Sequence, residues 1–353
     1  MSEYMNKKEL WNLYFKQYPL STIQDFIKFL YQSTLGSAHL IQSVEDNYAY
    51  LLKEYESIQH DSNHILYERI SDELVRVHLE AIDENDLKVY HTLFMKSVEI
   101  TSSKEQLFNV FNEVEQGILE GWIPFDLNEW INKIDEYKSK GCPAVSHSDI
   151  FRENYHPHYR LMKVEYLPYL ELLCHINKLD QPCIITIDGR SGSGKSSCAK
   201  LISDIYGYSI VHMDDFFLQK EQRTVERLKE IGGNVDYERF YEEVVLPIQN
   251  KKSFNYQIFD CKSMSIQGSK SICFKNGIVI EGCYSMHPKF NDYSNLKVFM
   301  DIPFELQKER ILKRNGEFML KRFVEEWIPK ENEYFDSFKI KEKADMIIQI
   351  KGI

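Results

Sequence analysis

The residues Gly189-Arg190-Ser191-Gly192-Ser193-Gly194-Lys195-Ser196 satisfy the pattern G-x-x-x-x-G-K-S in full. Such a run suits phosphate. Its glycines let successive backbone N–H groups turn onto phosphate oxygens, and a helix starting there adds its positive end. Gly189, Ser191, Gly192, Ser193, Gly194, Lys195, Ser196 and Ser197 are therefore the candidate nucleotide-binding residues. Lys195 can reach the terminal phosphates of ATP, and the Ser196 hydroxyl can bind Mg²⁺. The strand-like run Cys-Ile-Ile-Thr-Ile precedes the loop and an Ala/Lys/Leu/Ile helix follows it, which is the context the chemistry needs.

Phosphoryl transfer also needs carboxylates that hold the metal and receive a proton. Two apolar runs end in them. Ser209-Ile210-Val211-His212-Met213 leads into Asp214-Asp215-Phe216-Phe217, and Ile278-Val279-Ile280 leads into Glu281-Gly282. Asp214 is the candidate for taking the acceptor's proton and Glu281 for holding Mg²⁺; Asp215 could share either task. Asp188, beside Gly189, could bind the acceptor or brace the loop. A GTPase reading fails. The N-K-x-D string Asn132-Lys133-Ile134-Asp135 lies upstream of the loop inside an amphipathic helix, an order that only a circularly permuted GTPase would tolerate.

The elements around these residues fall into two regions. A chain of 353 residues is long for one domain. Residues 1–178 read as mostly α-helical, with capping signals at Ser21, Ser102 and Asp126 and further amphipathic stretches near 5–17, 37–57, 72–82 and 86–99. A last helix near 164–178 ends at Asp180-Gln181-Pro182. Residues 179–353 read as an α/β domain with a mainly parallel sheet. Its short apolar runs at 183–187, 209–213, 278–280, 296–300 and 346–350 alternate with helices at 195–206, 237–249, 304–315 and 318–341. A hairpin over 254–274, with Gly268 between its runs, precedes the third strand.

The net charge of −11 argues against bulk nucleic-acid binding. No apolar run approaches the ~20 residues of a membrane span, and the first residues carry no apolar signal core. Seven cysteines without a C-x-x-C pair suit a reducing cytoplasm. A small-molecule acceptor is the expected partner, and an oligomer is compatible with the sequence.

From residue 182 onward the chain resembles the uridine kinase and phosphoribulokinase group of P-loop kinases. The match runs through Ile187–Ser197, Met213–Phe217, the hairpin with Tyr256, Val279-Ile280-Glu281-Gly282, Lys297–Asp301, the helix with Glu309-Arg310 and Lys313-Arg314, and Ala344–Ile348. The resemblance implies that Asp214 binds metal and activates the acceptor hydroxyl. It also implies that Glu281 helps hold Mg²⁺ and that Arg310 and Arg314, on a lid helix, neutralise the transferring phosphoryl. Uridine kinases carry Tyr-Asp in the hairpin and a base-reading His four residues on; here Gln257 and Cys261 stand there, which weakens the case for uridine. Arg223, Asp236, Tyr237, Tyr256, Tyr284 and His287 are candidate acceptor contacts.

The expected activity is ATP- and Mg²⁺-dependent phosphorylation of a hydroxyl on a small metabolite. The alternative is a nucleotide-dependent regulator in which the phosphate loop controls ligand or partner binding by the helical region. A toxin-like kinase of nucleotide sugars is a third option. In the helical region, His39, His147, His156 and His158 could form a metal site, although their spacing matches no template.

Overall fold

The computed structural model describes residues 6–37, 44–98 and 103–351. The chain divides into two compact units between Leu167 and Pro168.

The first unit contains α1 (Lys7–Gln17), α2 (Ile23–Leu35), α3 (Val44–Ser57), α4 (Leu87–Lys96), α5 (Lys104–Leu119), α6 (Leu127–Ser139) and α7 (Asp149–Tyr155). Three helix starts agree with the capping chemistry read from sequence, two of them displaced by one residue. Thr22 rather than Ser21 caps α2, with Asp25 returning the bond, and Ser103 caps α5 with Gln106; Asp126 caps α6. An N-cap oxygen satisfies a backbone donor that the helix itself leaves free. Fully buried Phe26, Phe29, Phe111, Trp130 and Phe151 fill the core between these helices. The Asn132–Asp135 string sits on α6 with Ile134 buried, as a helix-core position.

The stretch 72–82 is not a helix. It forms β2 (Leu74–His78), which pairs antiparallel with β1 (Tyr67–Arg69) and β3 (Tyr159–Lys163). All five β2 residues are buried, so its apolar run has no exposed face to reveal the period. Arg76 is wholly buried there, held by Glu68 Oε1 at 3.0 Å and by Gln32 Oε1 at 2.9 Å.

The second unit begins with α8 (Leu170–Ile176). This helix was expected to close the first region. Instead the Tyr206 hydroxyl donates to Leu173 O at 2.5 Å and ties it to the second. Five parallel strands follow: β4 (Cys183–Gly189), β5 (Ser209–His212), β8 (Gly277–Glu281), β9 (Leu296–Asp301) and β10 (Met346–Gln349). They lie in the order β10-β9-β4-β8-β5. β4 and β8 are buried throughout, whereas the edge strands β5 and β10 keep partly exposed residues; α9 (Lys195–Tyr206), a helix over 237–249 with an internal π turn, α13 (Phe304–Arg322) and α14 (Ile328–Phe338) accompany the sheet. The hairpin is β6 (Phe254–Asp260) with β7 (Ser265–Ile272). Its turn is at 261–264, where Met264 takes a φ of +55°, and Gly268 lies within β7 rather than between the strands. Among the described residues no helix is long and apolar enough to cross a membrane.

Candidate active site

Strand order decides what meets at the sheet's carboxyl edge. β8 lies between the phosphate-loop strand β4 and β5, with Ile187 and His212 both in register with Glu281. Open parallel sheets bind ligands at this edge.

The phosphate loop leaves β4 at Gly189 and enters α9 at Lys195. Lys195 Nζ donates to Gly189 O at 2.8 Å and Arg190 O at 3.0 Å, closing the loop on itself. Asp188 is fully buried and accepts from Gly189 N at 2.7 Å, Met286 N at 3.0 Å and the Tyr334 hydroxyl at 2.8 Å. These three bonds brace the loop. The outer shoulder of the loop is held from α14. Ser191 N donates to Glu331 Oε2 at 3.0 Å, the Ser191 hydroxyl donates to the same carboxylate, and Arg190 bonds Asn332 as well as Asp301 Oδ1 at 2.9 Å. Burial pushes the Glu331 carboxyl above the usual range, against the pull of Lys195 and Ser191. No sequence signal marked Glu331.

The carboxylates converge as their strand positions require. Glu281 is buried at the tip of β8 and accepts from the Ser196 hydroxyl at 3.0 Å. The same oxygen lies 2.6 Å from His212 Nδ1. His212, which directly precedes Met213-Asp214-Asp215, joins the site without being among the residues expected from sequence. Asp214 follows β5 in a 3₁₀ turn, open to the cleft. Surrounding protein, then the charges of Glu281 and Asp215, push its carboxyl above the ordinary range, while Lys195 pulls it down. Asp215 Oδ2 instead accepts from the Tyr256 hydroxyl at 2.8 Å, which anchors the hairpin to the site.

Several acceptor candidates are structural. Asp236 is buried, caps the 237–249 helix by accepting from Arg239 N at 3.1 Å, and accepts from Gln222 Nε2 at 2.8 Å. Tyr237 is buried, donates to Ile231 O at 3.0 Å and stacks on His287 at 4.6 Å. His287 accepts from Lys289 N at 3.2 Å, and burial lowers its pKa to about 4, leaving a neutral ring. Tyr256 is buried against Phe216. Tyr284 is buried against Tyr334 with a φ of +75°. Arg223 is exposed and reaches Met264 at the hairpin turn, near Cys261.

The two lid arginines are not equivalent. Arg310 Nη1 donates to Gly192 O at 3.3 Å, so it already lies over the phosphate loop. Arg314 is exposed and bonds only its neighbour Asn315 at 2.8 Å among the contacts described. Gly316, with φ +78° and ψ 172°, breaks the helix just beyond them. Ser197 is exposed on the first turn of α9, and Ser193 is fully buried in the loop.

In the first unit, His147, His156 and His158 line one cavity of about 840 Å³ together with Lys28, Arg152 and Arg160. They do not form a shared ligand set among the described residues. His147 pairs with Asp25 Oδ1 at 3.1 Å and the Tyr159 hydroxyl at 2.7 Å, His158 pairs with Glu54 Oε1 at 3.1 Å, and His156 is the left-handed cap of α7. His39 lies outside the described residues. Burial lowers the His147 pKa from 6.5 to about 4 despite Asp25. The unfolded chain therefore binds more protons in that window, and stability falls as pH drops from 6.5 towards 4. The thermal midpoint should be lower midway through this window than above it, and His147→Gln should lessen the drop. An equal drop in the variant would contradict the assignment.

A five-stranded parallel sheet with a G-x-x-x-x-G-K-S loop at its carboxyl edge and carboxylates on the adjoining strands defines a P-loop domain of the kinase class. Residues 184–350, within the second unit, match the Phosphoribulokinase / Uridine kinase family. The uridine kinase of Bacillus mycoides is 25% identical over 189 residues, covering 49% of this chain and 88% of its own. That of Ligilactobacillus salivarius is 24% identical over 149 residues, covering 40% and 70%. Among solved structures, one of a possible uridine kinase from Bacillus stearothermophilus aligns at 16% identity with a TM-score of 0.41, covering 52% of this chain and 100% of that one. The family match leaves residues 1–183 outside it.

Proposed function

We propose that the second unit transfers the terminal phosphoryl group of ATP, with Mg²⁺, to a hydroxyl of a small metabolite. The observation that carries this reading is Glu281. It touches the Ser196 hydroxyl of the phosphate loop and is the carboxylate whose charge acts most strongly on Asp214. Ser196, Glu281 and Asp214 offer hard oxygen donors of the kind Mg²⁺ takes, and the ion would supply charge neutralisation at the phosphates. Loop amides and Lys195 bind the donor. Asp214 accepts the hydroxyl proton as the acceptor oxygen bonds to phosphorus and the bond to the leaving nucleoside diphosphate breaks. Arg310 lies where it can meet the charge on the phosphoryl oxygens.

Uridine is not the default acceptor. Gln257 exchanges only its backbone here, with Gln257 N donating to Glu243 Oε2 at 2.8 Å, and Cys261 sits at the exposed hairpin turn. The test is incubation with ATP, Mg²⁺ and a pool of hydroxyl-bearing metabolites, reading new phosphorylated species by mass. Lys195→Ala should remove the product by about 10³-fold or more while leaving the unfolding transition in place. Undiminished product from that variant would overturn the site.

A further inference from the structure

The first unit holds a trio that the kinase reading does not use. His64, His78 and Glu80 each present one donor atom, all within 4.8 Å of one another. We propose that these three residues form a binding site for a divalent transition-metal ion of the zinc type.

Two independent features point to a ligand. His78 is 7% exposed and its Nε2 has no hydrogen-bond partner; the buried Glu80 Oε2 also lacks one. Buried polar atoms are nearly always satisfied, so two orphans on residues of one donor cluster call for a missing partner. They are of complementary kinds for a cation, a neutral imidazole nitrogen and a carboxylate oxygen. Two histidines and one carboxylate are the donor set of open zinc sites, with a further position left to water.

The backbone fixes the trio from both sides. His78 ends β2, and its N donates to Leu66 O at 2.9 Å. Asp61 N donates to Glu80 O at 3.0 Å, and His64 N donates to Asp61 O at 2.9 Å, so the segment that carries His64 is pinned to the segment that carries Glu80. The rings of His64 and His78 lie edge to face at 5.1 Å. Donors at ~2.1 Å around a tetrahedral ion stand about 3.4 Å apart. Closing from the observed spread asks for roughly an ångström of movement, and exposed His64 is free to supply it.

The alternative is a solvated polar corner without metal affinity. The full chain, stripped with chelator, is titrated with Zn²⁺ by calorimetry, and Co²⁺ is followed by its visible spectrum. One equivalent should bind, with nitrogen and oxygen but no thiolate signature. His64→Ala, at an exposed position that leaves the core untouched, should weaken binding by 10- to 100-fold, as should Glu80→Gln. Glu281→Gln should leave this equivalent in place, which separates it from any ion at the phosphate loop. Absence of stoichiometric binding, full affinity in His64→Ala, or a thiolate spectrum would each overturn the proposal.

Discussion

Asp214→Asn should lower turnover by about 10²- to 10⁴-fold while the Michaelis constant for ATP changes little, because a positioned general base is worth that much. Asparagine keeps the size of the side chain and removes its capacity to take a proton. The environment gives a second readout. Surrounding protein and the charges of Glu281 and Asp215 raise the Asp214 pKa above its ordinary 3.8. The group must be ionised to accept the proton, so the acid limb of the rate profile that belongs to it should disappear in the variant. The same substitution separates an enzyme from a nucleotide-dependent regulator. A regulator would keep its function in Asp214→Asn and lose it in Lys195→Ala; that pattern would sink the kinase reading.

Gly189→Ala should destabilise the second unit by about 2–5 kcal/mol, combining backbone strain with overpacking. Gly189 has a φ of +137°, and an added Cβ would lie 2.2 Å from Met300 O and 2.8 Å from Met300 N. Both atoms belong to the backbone of β9, which cannot turn aside as a side chain would. The matched control is Gly268→Ala in β7, where φ is +88° but nothing lies within 4 Å of the new atom. That variant carries only the conformational penalty. Denaturant midpoints that fall equally in the two would show that the close approach to β9 is not what fixes this position.

Much of the second unit was legible in the sequence because its parallel strands are short apolar runs bounded by turns, with β4 and β8 buried throughout. Asp214 and Glu281 could be placed because they directly follow or end such runs. Helix starts were visible too, within one residue, since Ser21-Thr22 and Ser102-Ser103 each offer two adjacent capping side chains. Other features depend on contacts between distant parts of the chain. β2 was read as helical because Leu74–His78 is buried throughout and shows no alternation. Asp188, Asp236, Tyr237 and His287 carry the residue types of a binding site, yet each bonds the protein's own backbone, and Asp188 and Asp236 also bond the side chains of Tyr334 and Gln222. His64, His78 and Glu80 follow no metal-binding string; His64 meets the other two only through long-range backbone bonds, Asp61 N to Glu80 O and His78 N to Leu66 O.

The clasp between Glu331 and Ser191 spans 140 residues. Together with the Arg190 contacts to Asn332 and Asp301, it makes the shape of the phosphate loop a tertiary property of the chain's end, not a local one. A chain cut after β9 would retain every letter of the G-x-x-x-x-G-K-S signature and lose part of the scaffolding that holds its backbone in place. The nucleotide pocket and the C-terminal helix are thereby thermodynamically linked: whatever frays α14 also loosens the cradle for phosphate.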